Sequence, residues 1–170
     1  MADPDPRADG ANPPGVDADA PEFSLQSVYL KDCSFEAPKG PRVEGEWAPQ
    51  IGLDLNTASE AVSPDLREVV LTVSISAKLG EATAFLVEVQ QAGLFGVRNL
   101  TEEDYRRAVA AVAPSVLFPY ARATIASLVS QGGFPQLLLP PVNFEALYAR
   151  SRAEAAAQQQ AAAAPPALNS

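Results

Sequence analysis

The amino-acid sequence predicts an α+β fold, a four-stranded antiparallel sheet with helices packed on one face. Three observations carry this. Val69, Leu71, Val73, Ile75, Ala77 and Leu79 alternate with Thr72, Ser74, Ser76 and Lys78, a period of two that only a half-buried strand explains. After Gly80-Glu81 the alternation resumes, with Phe85, Val87 and Val89 on one face and Leu86, Glu88 and Gln90 on the other. The period then changes, and Tyr105, Ala108, Val109, Val112 and Val116 form a helical stripe.

Composition limits the function. Hydrophobic residues are 47% of 170 and charged ones 19%, which suits one globular domain rather than a disordered chain. A net charge of −9 argues against nucleic acid, whose phosphates need a basic surface, and favours basic partners. With no histidine and one cysteine, an intrachain disulfide, a Cys/His metal site and His-based acid–base chemistry are all excluded. No cofactor is expected. No apolar run approaches the roughly 20 residues of a spanning helix, and the N-terminus lacks the basic and apolar regions of a signal peptide. A cytoplasmic chain without membrane insertion is expected.

Residues 1–21 are Asp, Pro, Ala and Gly with little else, too polar to offset ordering entropy, and are expected to be disordered. The folded domain is expected over 22–150. From Phe23 to Phe35 the chain reads as a strand whose apolar positions slip at Val28 to Leu30, the mark of a bulge or an edge. Ala37–Pro49 is a Pro- and Gly-rich connection with Trp47 near its end. Ile51, Leu53 and Leu55 alternate with Gly52, Asp54 and Asn56 in a second strand, and Ser63-Pro64-Asp65 makes a turn.

Register constrains the loop at Gly80. A two-residue loop pairs Leu79 with Ala82 and places Ile75 on the face of Leu86, whereas a three-residue loop aligns the odd apolar residues. An odd-length loop is therefore expected. Gly93 and Gly96 are expected to release the chain from the sheet. Thr101-Glu-Glu-Asp104 is a capping-box variant opening a helix. Pro114 is expected to break or kink that helix, Pro119 to start the next, and Gly132 to end it in the left-handed conformation. Ala121, Ile125, Leu128 and Val129 stripe this second helix. The loop beyond it, with Phe134, Leu137, Leu138, Leu139 and Val142, is too apolar for an ordinary surface connection and must cover a core or a partner. Asn143 caps a last helix carrying Phe144, Leu147 and Tyr148. Residues 151–170 are expected to be its end, fading near residue 160, and a disordered Ala/Gln-rich tail.

On the even face of the sheet, Asp32, Glu36, Leu86 and Glu88 make an acidic patch with one apolar centre if the first and fourth strands are neighbours. From the residues alone this face is either a solvated surface or a docking site.

Several phrases resemble the SecB family of bacterial protein-export chaperones. These are Leu117-Phe-Pro-Tyr-Ala-Arg122, Phe134-Pro-Gln-Leu137, Pro141-Val-Asn-Phe144, Tyr29-Leu-Lys-Asp-Cys-Ser-Phe-Glu-Ala-Pro38, Leu53-Asp-Leu-Asn-Thr-Ala-Ser59 and Ala84-Phe-Leu-Val-Glu-Val-Gln-Gln91. The match spans about residues 23–150 in order. The resemblance implies a SecB-like fold and an ATP-independent holdase that keeps unfolded preproteins translocation-competent and delivers them to the SecA motor ATPase. It implies that Asp32, Glu36, Leu86 and Glu88 dock the basic tail of SecA. It further implies a homotetramer, a dimer of dimers with Val87 and Val89 at the contact. Its preprotein groove would be lined by Trp47, Ile51, Leu53, Leu55, Phe134, Leu138 and Tyr148, the last standing where the family often has phenylalanine. The chain has no G-x-x-x-x-G-K-[ST] loop, so energy would come from the partner. The alternative reading is a carrier of small apolar ligands between sheet and helices. An enzyme working with carboxylates alone finds no close acidic pair in an apolar setting.

Overall fold

The computed structural model describes residues 19–42 and 45–163. The disorder expected at the two ends concerns residues of which 1–18 and 164–170 lie outside the described set. Four strands, β1 (Glu22–Glu36), β2 (Gln50–Ser63), β3 (Leu66–Leu79) and β4 (Ala82–Arg98), form one antiparallel sheet in the order β1-β4-β3-β2. The α+β architecture is as the sequence predicts, with the helices on the face of the odd-numbered β3 residues.

In β1 the slip of apolar positions has a direct cause. Leu25 pairs with Phe95 but Ser27 with Leu94, and Leu30 pairs with Gln91 but Asp32 with Gln90. Gln26 and Lys31 are therefore each one residue extra. Each bulge reverses the parity of the residues after it, so Phe23, Leu25, Val28, Leu30, Cys33 and Phe35 all lie opposite odd residues of β4, on the inner face.

The β3–β4 hairpin corrects the expected loop length. Leu79 pairs with Ala82, so the loop is the two residues Gly80-Glu81, with Gly80 at φ 58°. Yet Ala77 pairs with Phe85 and Ile75 with Val87, because the register shifts between Ala77 and Lys78. A bulge in β4 supplies the residue that a longer loop would have supplied, and the odd apolar positions align after all.

Gly93 and Gly96 do not release the chain, and β4 continues to Arg98 with both glycines paired to β1 and β3. Glycine at 93 answers a close approach. A Cβ there would lie 2.8 Å from the Phe95 ring and 3.0 Å from Leu117 Cδ2.

The helical region departs most from expectation. Thr101 is the N-cap, its Oγ1 accepting from the Asp104 N–H at 3.1 Å. From there α1 (Glu102–Arg107), a π-helical turn (Ala108–Val112) and α2 (Ala113–Gln131) run on without interruption. Pro114 does not break the helix, and Pro119 lies inside α2 rather than at its start. The π turn, in which the Ala113 N–H bonds to Ala108, inserts one residue ahead of Pro114. The stripe slips accordingly: Ala111, Ala113 and Pro114 are buried, whereas Val112 is 37% exposed. Pro119 sits on the exposed side, where the carbonyl it frees can be hydrated. By length and composition the continuous helix Glu102–Gln131 is apolar enough to cross a membrane; here Leu117, Ala121, Ile125 and Val129 pack it on the sheet core.

The helix end is also reassigned. Gly132 has φ −69°, and Gly133 is the left-handed residue at φ 81°. The Phe134 N–H reaches Val129 O at 3.2 Å and the Gly133 N–H reaches Ser130 O at 3.0 Å, which is a Schellman cap. Gly132 is required for another reason, since a Cβ there would lie 2.3 Å from the Phe35 ring. In the apolar loop Phe134 and Leu139 are buried while Leu138 is 61% exposed. Asn143 caps α3 (Phe144–Ala163), its Oδ1 accepting from the Ala146 N–H at 3.0 Å. Ion pairs Arg107–Glu145 and Arg152–Glu103 hold α3 alongside α1.

Candidate docking face and apolar groove

The outer face of the sheet forms a grid fixed by register. One row across the strands reads Gly52, Ser76, Leu86, Glu36, the next Asp54, Ser74, Glu88, Ser34, and a third Asn56, Thr72, Gln90, Asp32. Asp32, Glu36, Leu86 and Glu88 thus share one face of adjacent strands β1 and β4. Leu86 is 41% exposed among them. A shallow depression of about 350 Å³ opens here, lined by Glu36, Asp54, Ser74, Ser76, Leu86 and Glu88 among others. The Ser74 hydroxyl donates to Glu88 Oε2 at 2.8 Å, fixing that carboxylate over the centre of the sheet. Gly52 leaves room for its row neighbour Ser76, as a Cβ there would lie 2.5 Å from Ser76 Oγ.

Sequence reasoning missed Asp54 and Ser74. Their even parity was readable, but that β2 borders β3 on the side away from β4 was not. The far half of this face is differently built. Glu68 accepts from both the Tyr29 hydroxyl and the Lys31 ammonium. Lys31 and then Tyr29 hold the Glu68 carboxyl below its ordinary value, and Glu68 pushes the Tyr29 hydroxyl up to about 12.

The inner face carries the apolar groove residues. Trp47 lies tilted against Phe134 at 5.5 Å and stacked on Phe85 at 6.4 Å between ring centroids, and Phe35 lies 5.8 Å from Phe85 and 6.2 Å from Phe134. Phe35 and Phe85 were not among the expected groove residues, although their odd parity marked them as inner. Ile51, Leu53 and Leu55 lie opposite Ala77, Ile75 and Val73 on the same face, along the edge strand β2. Because α2 covers β4 and β3, Ile51 stays 40% and Leu53 37% exposed. Leu55 and Tyr148 pack against the core from its margin. Leu138 stands apart from this row, beside Pro119, Arg122 and Gln136 on the outer side of α2. Val87 and Val89 are 2% and 0% exposed, inside the core of this chain. They offer no surface of their own and instead support α2 from below.

Comparison with known proteins matches residues 16–155 to the family model described as preprotein translocase subunit SecB. The chain is 50% identical over 143 residues to "Protein-export protein SecB" of Pseudomonas fluorescens (strain SBW25), covering 84% of this chain and 90% of the relative. It is 52% identical over 131 residues to the protein of the same name from Ectopseudomonas mendocina (strain ymp), covering 76% and 81%. A solved SecB-like chaperone of Mycobacterium tuberculosis, in complex with a ChAD peptide from an antitoxin, superposes with a TM-score of 0.62 at 17% identity. That match covers 71% of this chain and 90% of the other.

Proposed function

The chain belongs to the SecB family of protein-export chaperones, and from that membership we propose that it holds unfolded preproteins and hands them to the SecA motor ATPase. The family is one of chaperones, and the chain binds polypeptide without performing chemistry on it. The observation that carries the reading is the uncovered apolar row of β2. Ile51 and Leu53 are exposed on the face that is core over β3 and β4, and they lead toward the Trp47–Phe134 aromatic cluster. An unfolded client presents apolar side chains and unpaired backbone over long stretches. A shallow groove gives each such segment a weak hold, and several grooves in one assembly convert weak holds into retention without sequence specificity.

The assembly we propose is a homotetramer in the cytoplasm. Its contact would involve the outer side of α2, where Pro119, Arg122, Ala123 and Ala126 line a broad depression, with Val87 and Val89 stiffening the helix from beneath. The outer sheet face is the proposed SecA dock. Glu36 and Glu88 flank exposed Leu86, Asp32 lies one row beyond Glu88, and Ser74 holds Glu88 in place. A basic partner segment with one apolar side chain complements this pattern. The test is Leu86→Gln with Glu88→Lys: SecA binding should disappear while client binding and assembly persist. Undiminished SecA binding would remove the outer face from the mechanism.

A small-ligand carrier is the weaker reading, because the apolar row is open along the edge strand rather than enclosed.

A further inference from the structure

Among the described residues, Gln91 is the only buried polar side chain, 4% exposed on the inner face between Leu30 and Leu71. Burying an amide is costly unless it is hydrogen-bonded, and this one is. Its Nε2 donates to Tyr29 O at 2.8 Å, a backbone carbonyl two residues ahead of Lys31. Leu30 pairs with Gln91 and Asp32 with Gln90, so Lys31 stands outside the ladder as the extra residue of a bulge. Such a bulge interrupts the backbone hydrogen bonds around it. Gln91 supplies a donor from the core side, and on the outer face Glu68 accepts from the Lys31 ammonium. The bulge is pinned from both sides.

The bulge decides which way every later residue of β1 faces. Continuing the register of Leu30 without the extra residue would set Asp32 opposite Val89 and Glu36 opposite Phe85, residues 0% and 1% exposed. It would also turn Phe35 away from Phe85 and Phe134. We propose that Gln91 is a positioning residue for both faces of the sheet, holding through Tyr29 O the bulge that presents Asp32 and Glu36 to the partner and Phe35 to the groove. The inference rests on the proposed docking and groove readings and adds the residue that aligns them. Without the donor, β1 is left with an unpaired carbonyl or with two carboxylates driven into the core, and both are costly. Residues 32–36 then loosen from β4, and each face loses its β1 side.

The test compares Gln91→Met, which keeps the bulk of the side chain and removes the donor, with the same substitution in a full chain lacking only Lys31. Deleting Lys31 keeps Leu30 opposite Gln91 and Asp32 opposite Gln90 in a straight ladder, so no carbonyl there needs a side-chain donor. In the otherwise unchanged chain, Gln91→Met should speed hydrogen exchange of the amides at 32–36. It should weaken SecA binding about three- to tenfold, the scale of two exposed charge pairs, and reduce retention of an unfolded preprotein. In the Lys31-deleted chain the same substitution should change none of the three. Unchanged exchange at 32–36 in Gln91→Met overturns the proposal. Equal losses in both backgrounds also overturn it, because Gln91 would then act through core packing alone. Should Gln91→Met fail to fold or assemble, the deleted background decides: recovery there supports the pin, and failure there overturns it. If the wild-type protein ignores SecA, the docking reading falls and takes the docking half of the proposal with it, while the exchange comparison still decides the bulge.

Discussion

At Glu68, two donors meet one carboxylate, and the signs of the two shifts set the pH dependence. Its carboxyl is held below the ordinary 4.5, chiefly by Lys31 and then by Tyr29. A lowered native value means a contribution fully present above the unfolded value and lost as pH falls through the native one. Tyr29 is the converse case: its hydroxyl is raised from 10 to about 12. Its contribution is present below pH 10 and lost as pH rises through about 12. Urea unfolding across pH should therefore show Glu68→Gln less stable than wild type at neutral pH and converging with it in acid. A parallel offset at all pH values would mean the carboxylate charge plays no part. Gly132 makes a second, steric prediction. Because the Phe35 ring occupies the space of a Cβ, Gly132→Ala should destabilise by about 1–3 kcal/mol in denaturant unfolding. Gly133→Ala, which meets the left-handed φ instead, should cost about 1 kcal/mol.

At the scale of elements, the long helix invites a gain of stability. Pro119 sits exposed inside α2 without an N–H to donate to the carbonyl four residues back. Interior proline costs a helix about 3 kcal/mol, so Pro119→Ala should raise Tm, by an amount reduced where the site has already adapted. An unchanged or lower Tm would show that the proline serves packing or assembly. The same helix shows where sequence reading succeeds. Strands β3 and β4 were legible because alternation and register are strict, and even the mistaken loop length came from a correct demand that odd residues align. The Thr101 and Asn143 caps were legible because their side chains bond locally. Proline was misread at Pro114 and Pro119 because a tertiary context, an inserted π turn and a solvated side, outweighs a local preference. Gly93 and Gly96 were misread because glycine in a strand marks either an exit or a close approach, and only the tertiary neighbours, Leu117 above Gly93 and Ser24 beside Gly96, distinguish them. The acidic face was legible through parity, whereas its extension to Asp54 required the strand order.

For the whole molecule, the division of labour between faces is the central point. The inner face is core under α2 and an apolar ledge where α2 does not reach; the outer face is an acidic, shallow depression. The proposed client groove and partner dock lie on opposite sides of one sheet, so the two activities should be separable. Leu53→Ser with Ile51→Ser should weaken client retention, while Leu86→Gln with Glu88→Lys should leave it unchanged. Loss of client retention in the second variant would show that the two faces act as one site. The most direct measurement is native mass spectrometry of the protein alone and mixed with one preprotein, supplied either folded or chemically unfolded. The account predicts a tetramer that takes up the unfolded chain and ignores the folded one. A monomer that leaves the unfolded chain unbound would contradict it.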